Sequence, residues 1–155
     1  MANCSNAVVV TFPANSGASQ TVTHFSIGYA ITGATTLYGS SVFTDLGFGT
    51  SRVIATGATP SFAIGELDIN LTTTSSEFEA AFLQNVLKLY FQDVDHANIG
   101  DAGGLHGNLV PGSVFVALHV GDPAGGNQST NEATYTGYGN RVAVPRAAIT
   151  GWTVV

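Results

Sequence analysis

The stretch LHVGDPAGGNQSTNEATYTGYGNRVAVPR, residues 118–146, places strong turn chemistry directly after an apolar segment. That segment, SVFVALHV at 113–120, is short and valine-rich, as a buried strand is. Asp122-Pro123 and Gly125-Gly126 follow it and predict a tight turn, because proline fixes φ and glycine accepts positive φ. Pro145 predicts the end or the edge of a strand. Further strands are predicted at 133–138 and 140–146.

Short apolar segments between turns also make up the first 71 residues. They predict strands at 7–12, 20–31, 35–43, 52–57 and 61–71, and a last strand at 151–155. In the second of these, the face with Phe25 and Ile27 is predicted to be buried. In 61–71 the alternation changes phase at Gly65-Glu66, which predicts a β-bulge there. Roughly nine strands at this spacing predict a mainly β fold, an antiparallel β-sandwich of jelly-roll character.

One α-helix is predicted, at residues 77–91. Ser76 and Glu79 have the S-x-x-E spacing of a capping box, which predicts that the helix begins between them. The residues at i, i+4, i+8 and i+11 form an apolar stripe, widened by three more: Phe78, Phe82, Val86 and Leu89, with Leu83, Leu87 and Tyr90. So broad a stripe predicts burial against a sheet or another subunit, and Phe78 and Phe82 are therefore candidate interface residues.

Composition restricts the classes of partner. Only 14 of the 155 residues are charged, four basic and ten acidic, for a net charge of −6. Nucleic-acid grooves and polybasic membrane patches need clustered Lys or Arg, so neither nucleic acid nor a membrane is expected as a partner. Cys4 is the sole cysteine, which excludes an intrachain disulfide and a thiolate zinc site. The length predicts a single domain over residues 1–155.

The candidate polar sites have both functional and structural interpretations. His24 and His119 could form a metal or acid–base site with Asp122 or Glu132, but no metal-ligand spacing is present. Half-buried histidines bonded to the backbone or across strands are the favoured interpretation. Asp93, Asp95 and His96 open a predicted loop at 93–108, and a solvated loop is favoured over a calcium site. We expect no catalytic, cofactor-binding or metal-binding residue, and hence no enzyme.

Tyr135, Tyr138, Arg141 and Arg146 are the remaining candidates for an interface. Tyrosine and arginine on one stretch are the composition of residues that anchor protein–protein contacts. The same residues could instead pack across strands, with each arginine paired to an aspartate or glutamate. The sequence leaves both interpretations open. The low charge favours a subunit that buries surface against other copies, and we expect a symmetric homo-oligomer, with a trimer favoured.

Six sequence blocks together resemble a family of small tailed-phage virion proteins, often labelled tail-fibre proteins. The blocks are LHVGDPAGG, TNEATYTGYGNRVAVPR, GWTV, NAVVVTFP, TVTHFSIGYA and TPSFAIGEL. The resemblance covers most of the chain outside 93–108. It implies a structural role in the phage particle: decoration of the outer capsid surface, with the major capsid protein as partner and no cofactor. The alternative is a tail or head fibre domain that binds a host-surface glycan.

The order of these blocks differs from the family's pattern. In that pattern the LH-x-x-DP block precedes the VTFP and THF blocks, whereas here it follows them. The resemblance therefore implies a circular permutation, with residues 72–76, TTTSS, as a linker that joins the family's usual ends. The carboxyl-terminal GWTVV and the amino-terminal ANCSNAVVVTF would then form a hairpin, in which an Asn/Ser turn joins one strand from each segment.

Overall fold

The chain folds mainly as antiparallel β-structure with one helix, as predicted, in the residues that a computed structural model describes. Those residues are 2–28, 30–34, 37–43, 49–71, 79–96, 112–123 and 125–155. Two compact units are present. Unit 1 takes residues 1–9, 63–113 and 145–155, and unit 2 takes residues 10–62 and 114–144. The single domain over 1–155 stays a prediction.

The strands are short, from two to seven residues. In chain order they are β1 (Ala2–Asn6), β2 (Val10–Thr11), β3 (Gln20–Val22), β4 (His24–Gly28), β5 (Leu37–Val42), β6 (Arg52–Ile54), β7 (Ser61–Phe62), β8 (Asp68–Leu71), β9 (Ser113–His119), β10 (Val142–Pro145) and β11 (Trp152–Val154). The helix α1 spans Ala80–Gln92, between β8 and β9. Within the described ranges no helix has the length and apolar character needed to cross a membrane.

Unit 1 is a three-stranded antiparallel sheet with α1 packed on it. The strand order is β11-β1-β8, and α1 contacts β1 and β11. The Trp152 ring is fully buried, and its centroid lies 4.9 Å from that of Phe91 on the helix. Cys4, opposite both Ile69 and Val154, is buried on the same sheet, and this burial, reinforced by Asp68, raises the pKa of its thiol to about 12. This thiol belongs to the core and is not poised for reaction.

The Asn/Ser turn predicted between GWTVV and the strand at 7–12 is wrong for residues 2–6, because they form β1, the central strand of the sheet. Every second side chain is buried, namely Ala2, Cys4 and Asn6, so the segment has the two-residue periodicity of a β-strand although its sequence is polar. β1 and β11 are antiparallel neighbours, and Asn3 and Val155 exchange both backbone hydrogen bonds, at 3.0 and 2.9 Å.

The helix begins later than predicted, and its buried stripe is centred on the edge of the predicted one. Glu79 is its N-cap residue, with extended backbone and no side-chain capping bond. Ser76, the other residue of the predicted capping box, and Phe78 lie outside the described residues. The buried positions are Leu83 and Leu87, which were predicted to widen the stripe, and Phe91, which was not predicted. The reason is tertiary: these are the side chains that meet the sheet and Trp152.

Unit 2 contains a four-stranded sheet in the order β10-β9-β4-β5 and two ribbons, β2-β7 and β3-β6. Phenylalanines hold these parts together: Phe62 lies 6.1, 5.8 and 6.0 Å from Phe12, Phe25 and Phe43 between ring centroids. Phe25 and Ile27 are buried, as predicted. β10 is an edge strand that ends at Pro145, which confirms the prediction for that proline.

Two strand predictions fail where a turn intervenes. The run 61–71 is two strands, because Gly65 has φ of +80° and reverses the chain between β7 and β8. No bulge lies there; the register shift occurs between Ile27 and Gly28, where β4 pairs with β5. The segment 133–138 is not a strand either, although the Ala133 amide still bonds to the Leu118 carbonyl at 2.8 Å.

Candidate functional site

A buried polar network centred on Arg141 is the largest cluster of charged and polar side chains described in unit 2. The guanidinium donates to both carboxylate oxygens of Glu132, from Nε to Oε1 at 2.8 Å and from Nη2 to Oε2 at 2.7 Å. Its other hydrogen bonds reach the carbonyls of Ala30 and Gly33, both at 2.9 Å, and the side chains of Gln128 and Ser129. The Arg141 side chain is 1% exposed and that of Glu132 18%.

This network joins two separate loops of unit 2. The backbone amide of Ala30 donates to Gln128 Oε1 at 3.1 Å, and the carbonyl of the same residue accepts from Arg141. Gln128 is fully buried and reaches the Phe115 carbonyl with its other end. Residues 30–33 and 127–132 are thereby fixed to one another, because the bonds close only when both loops are in place. The guanidinium group of arginine has five N–H donors in a planar fork, so one side chain can bond to several acceptors at once.

The two tyrosines belong to the same region and also have internal partners. The hydroxyl of Tyr138 donates to Glu132 Oε1 at 3.1 Å and accepts from the Leu118 amide at 3.2 Å. Desolvation is the first cause that raises the pKa of Tyr138, and Glu132 adds to it. Tyr135 donates to the Pro13 carbonyl at 2.9 Å, and burial raises its pKa to about 12. Both phenols therefore stay protonated donors at neutral pH.

Tyr135, Tyr138 and Arg141 are thus brought together, in the arrangement that pairs the arginine with a carboxylate inside the protein. Contact with a partner stays a prediction for them. The sequence reasoning missed Glu132 and Gln128 as members of the cluster. For Glu132 a signal existed, since it was one of the few carboxylates near Arg141 in the chain. Nothing in the local pattern marked Gln128 as buried.

Arg146 lies in unit 1 and closes the carboxyl end of α1. Its guanidinium donates to the carbonyls of Tyr90 at 2.7 Å and Leu89 at 2.6 Å, and pairs with Asp93 at 2.8 Å. These carbonyls are among those that a helix end leaves without intrahelical donors, and a cation there also favours the helix dipole. Asp93 has φ of +57° as the C-cap and only 3% of its side chain is exposed, so the solvated position predicted for it is wrong.

Phe82, the other described candidate on the helix, is half-buried. Its ring centroid lies 5.6 Å from that of His96, which is itself buried. Arg146 and Phe82 share unit 1, whereas the two tyrosines and Arg141 lie in unit 2. The predicted interface residues therefore do not form one patch within either unit.

His119 and Ser26 have the spacing of a nucleophile and its base. Ser26 Oγ and His119 Nε2 are 2.7 Å apart across β4 and β9, and Nδ1 of the same ring is 2.8 Å from the Thr130 carbonyl. A carbonyl only accepts, so Nδ1 carries the proton and the serine hydroxyl donates to Nε2. Both residues are 0% exposed. A substrate carbonyl cannot reach the hydroxyl in this packing, and the pair serves to connect strands.

The stability of the fold should fall as pH drops below about 6.5, because burial lowers the pKa of His119 from 6.5, despite opposing effects of the Thr130 carbonyl and Glu132. The unfolded histidine binds a proton at a higher pH than the folded one, so stability is complete above 6.5 and is lost as pH falls toward the folded pKa. Urea titrations should show this slope, at most about 1.4 kcal/mol per pH unit. A His119→Asn variant should lose the slope; an unchanged slope would assign it to other groups.

A cavity with a volume of about 130 Å³ lies in unit 2. Phe12, Phe43 and Phe62 line it together with Arg52, whose guanidinium donates to the Ser61 carbonyl at 3.0 Å and lies 6.0 Å from the Phe62 centroid. Pockets for drug-sized ligands usually hold several hundred Å³. The cavity is too small to enclose an oligosaccharide. The described residues also contain no group of side chains able to hold a metal ion.

Residues 1–70 match the model of a family described as podophage GP4 fiber I protein gp80. No curated protein and no solved structure matches the chain. The match supports assignment to a tailed-phage virion protein family and, with it, a structural role as a component of the virion.

Proposed function

We propose that the protein is a structural decoration subunit on the outer capsid surface of a tailed phage, where it binds the major capsid protein as a homo-oligomer. The family match over residues 1–70 supports a structural role in the virion, and the place of that role on the capsid is our proposal. The way in which unit 2 uses its polar side chains supports a structural role: Arg141, Glu132, Gln128 and His119 bond to one another or to the backbone. Such a network holds loops in place and needs no substrate.

The distribution of charge supports a protein partner over an anionic polymer. Arg141 and Arg146 are committed to internal carboxylates, and Arg52 to a carbonyl and a ring. Three of the four cations therefore have internal partners, while the net charge is −6. Phosphates of nucleic acid or of a membrane would meet an acidic surface and be repelled.

A fibre domain that binds host glycan is the second candidate, and the word "fiber" in the description of the matched family favours it. Glycan sites usually offer exposed aromatic rings beside polar groups. In unit 2 Tyr38 is 50% exposed, whereas the rings that line the cavity, Phe12, Phe43 and Phe62, are at most 1% exposed and the cavity is small. The buried rings and the small cavity favour decoration, and the exposed Tyr38 favours the fibre domain.

Particles made without the protein give the direct test. Purified protein should cosediment with such particles saturably, at a fixed number of copies per capsid protein, and electron microscopy should show it over the capsid lattice. Particles that retain their own copies are the control and should bind none, because their sites are filled. Binding to the tail alone, or to host glycan with no binding to capsids, would favour the fibre domain.

We also propose that the chain is a circular permutant of the matched family. Two observations support this. The match ends at residue 70, two residues before the predicted linker 72–76, and β1 pairs with β11. A chain that begins at residue 77, runs to 155 and continues with residues 2–71 should fold with the same circular dichroism and melting temperature. Failure of that chain to fold would contradict the proposal.

A further inference from the structure

The cavity of unit 2 lies where its two ribbons meet its four-stranded sheet. Val22 on β3, Phe62 on β7 and Leu118 on β9 all line it. These three strands belong to the β3-β6 ribbon, the β2-β7 ribbon and the sheet, respectively. The cavity of about 130 Å³ is therefore formed by segments far apart in the chain, and it exists only when the whole unit has folded.

The floor of this cavity is apolar and buried. The rings of Phe12, Phe43 and Phe62 and the side chain of Val22 are at most 1% exposed, and Leu118 is 2% exposed. Such walls favour apolar groups, because contact with them removes apolar surface from water. They disfavour a charged or heavily hydroxylated ligand, whose hydrogen bonds to water they cannot replace.

Polar residues lie at the mouth of the cavity and bond to the protein itself. Arg52, Thr59 and Ser61 also line the cavity, and Thr59 is exposed, so the cavity reaches the surface there. The Arg52 guanidinium donates to the Ser61 carbonyl at 3.0 Å. Among the described residues, the buried side-chain polar atom without a hydrogen-bond partner is Trp152 Nε1, in unit 1. The cavity walls thus contain none, and a buried water needs several polar partners.

The aromatic walls are held apart by their own packing. The Phe62 ring lies 6.1 Å from that of Phe12 and 6.0 Å from that of Phe43 between centroids, at interplanar angles of 72° and 54°. Closing the cavity would break these edge and tilted contacts. A cavity that cannot close costs stability, because its lining atoms lack dispersion contacts, and a ligand that fits restores them. The site is therefore preformed.

We propose that this cavity binds one compact, uncharged apolar group of about the size of benzene. Cavities of about 150 Å³ lined by leucine, isoleucine and phenylalanine bind benzene. The cavity in unit 2 is of similar volume, with Leu118, Ile54 and three phenylalanines in its walls. The group is supplied either by a free small molecule or by a side chain that another virion protein inserts. Only the second source rests on the proposed function.

Benzene is the probe for this site, added to the purified protein. The methyl NMR signals of Val22, Ile54 and Leu118 should shift saturably, with a dissociation constant of about 1 mM or lower. The melting temperature should rise with the benzene concentration, because benzene binds the folded state. Glucose at the same concentration should do neither, since its hydroxyls would lose their water partners. Methyl signals that do not respond to benzene would overturn the inference.

A Val22→Phe variant should fill the cavity and weaken benzene binding at least about tenfold. Val22→Leu adds less volume and should weaken binding by a smaller factor, so a folded variant is at hand if the larger ring disturbs the core. Val120→Phe is the matched control, because Val120 is 41% exposed and does not line the cavity. Circular dichroism checks that each variant is folded. Folded Val22 variants that bind benzene like wild type would contradict the proposal.

The same variants distinguish the two sources of the group. If Val22→Phe protein no longer cosediments with particles made without the protein, while Val120→Phe protein does, the group is a side chain of another virion protein. If both variants cosediment like wild type, the group is a free small molecule. Wild-type protein that binds no particles would contradict the proposed function, whereas the benzene titration alone decides whether the cavity is a binding site.

Discussion

An Arg141→Met variant should lose about 3–5 kcal/mol of unfolding free energy, because it leaves a partly buried carboxylate without its partner. Glu132 would keep its Tyr138 bond but lose two charge-assisted bonds, and the carbonyls of Ala30 and Gly33 would lose their donor. Methionine keeps most of the side-chain volume, so the loss reports the missing bonds. Urea unfolding followed by circular dichroism measures it.

Arg52→Met is the matched control for this change. Arg52 is half-buried, whereas the Arg141 side chain is 1% exposed, so the loss of Arg52 should cost less than the loss of Arg141. An Arg141→Met/Glu132→Gln double variant should recover part of the stability, because no unpaired charge remains. Equal losses for Arg141→Met and Arg52→Met would mean that the network contributes little.

A Gly151→Ala variant should lose about 3 kcal/mol, since a methyl group at this position would overlap the Pro145 carbonyl oxygen and approach that of Ala147. Backbone atoms cannot turn aside as a side chain can. The turn they belong to is closed by the bond from the Trp152 amide to the Ala147 carbonyl at 2.9 Å, so β11 would have to shift. Thermal and urea unfolding of unit 1, followed by Trp152 fluorescence, would register this.

Gly139→Ala is the control for that variant. A methyl group on Gly139 would meet no atom within 4 Å, and its backbone is not in the positive-φ region. We expect a change within about 0.5 kcal/mol, and of either sign, because alanine also restricts the unfolded chain. If Gly151→Ala were as mild as this control, the close approach between Gly151 and Pro145 would not constrain the turn.

Local patterns predicted the parts of the fold that depend on neighbouring residues. Alternation predicted that Phe25 and Ile27 are buried, although Ser26 on the opposite face is buried as well, and proline's missing amide donor predicted the end of β10 at Pro145. The helix was found from its apolar period, although its start was misplaced and its stripe was centred on the wrong residues. The apolar arc of the helix is wide enough to be buried along more than one line of residues. Packing against the sheet decides that Leu83, Leu87 and Phe91 are the buried ones.

The candidate site shows the limit of local reasoning more clearly. Tyr135, Tyr138, Arg141 and Arg146 were singled out for their chemistry, but their composition fits both an interface and an internal network. Arg146 caps a helix that ends more than fifty residues earlier in the chain, between the carbonyls of Leu89 and Tyr90. No spacing in the sequence encodes such a pairing.

The sequence by itself determined the class of fold, the turns that separate many of its strands, and the presence of a helix. It also determined the negative net charge, which disfavours anionic partners. These depend on φ preferences, periodicity and charge, which act within a few residues. Only the tertiary structure decided that residues 2–6 are a central strand, that Arg141 pairs with Glu132 inside unit 2, and that Arg146 bonds to the carbonyls at the end of α1. Those features need segments far apart in the chain to meet, and their energies arise from packing and hydrogen bonds that form only after the chain has closed.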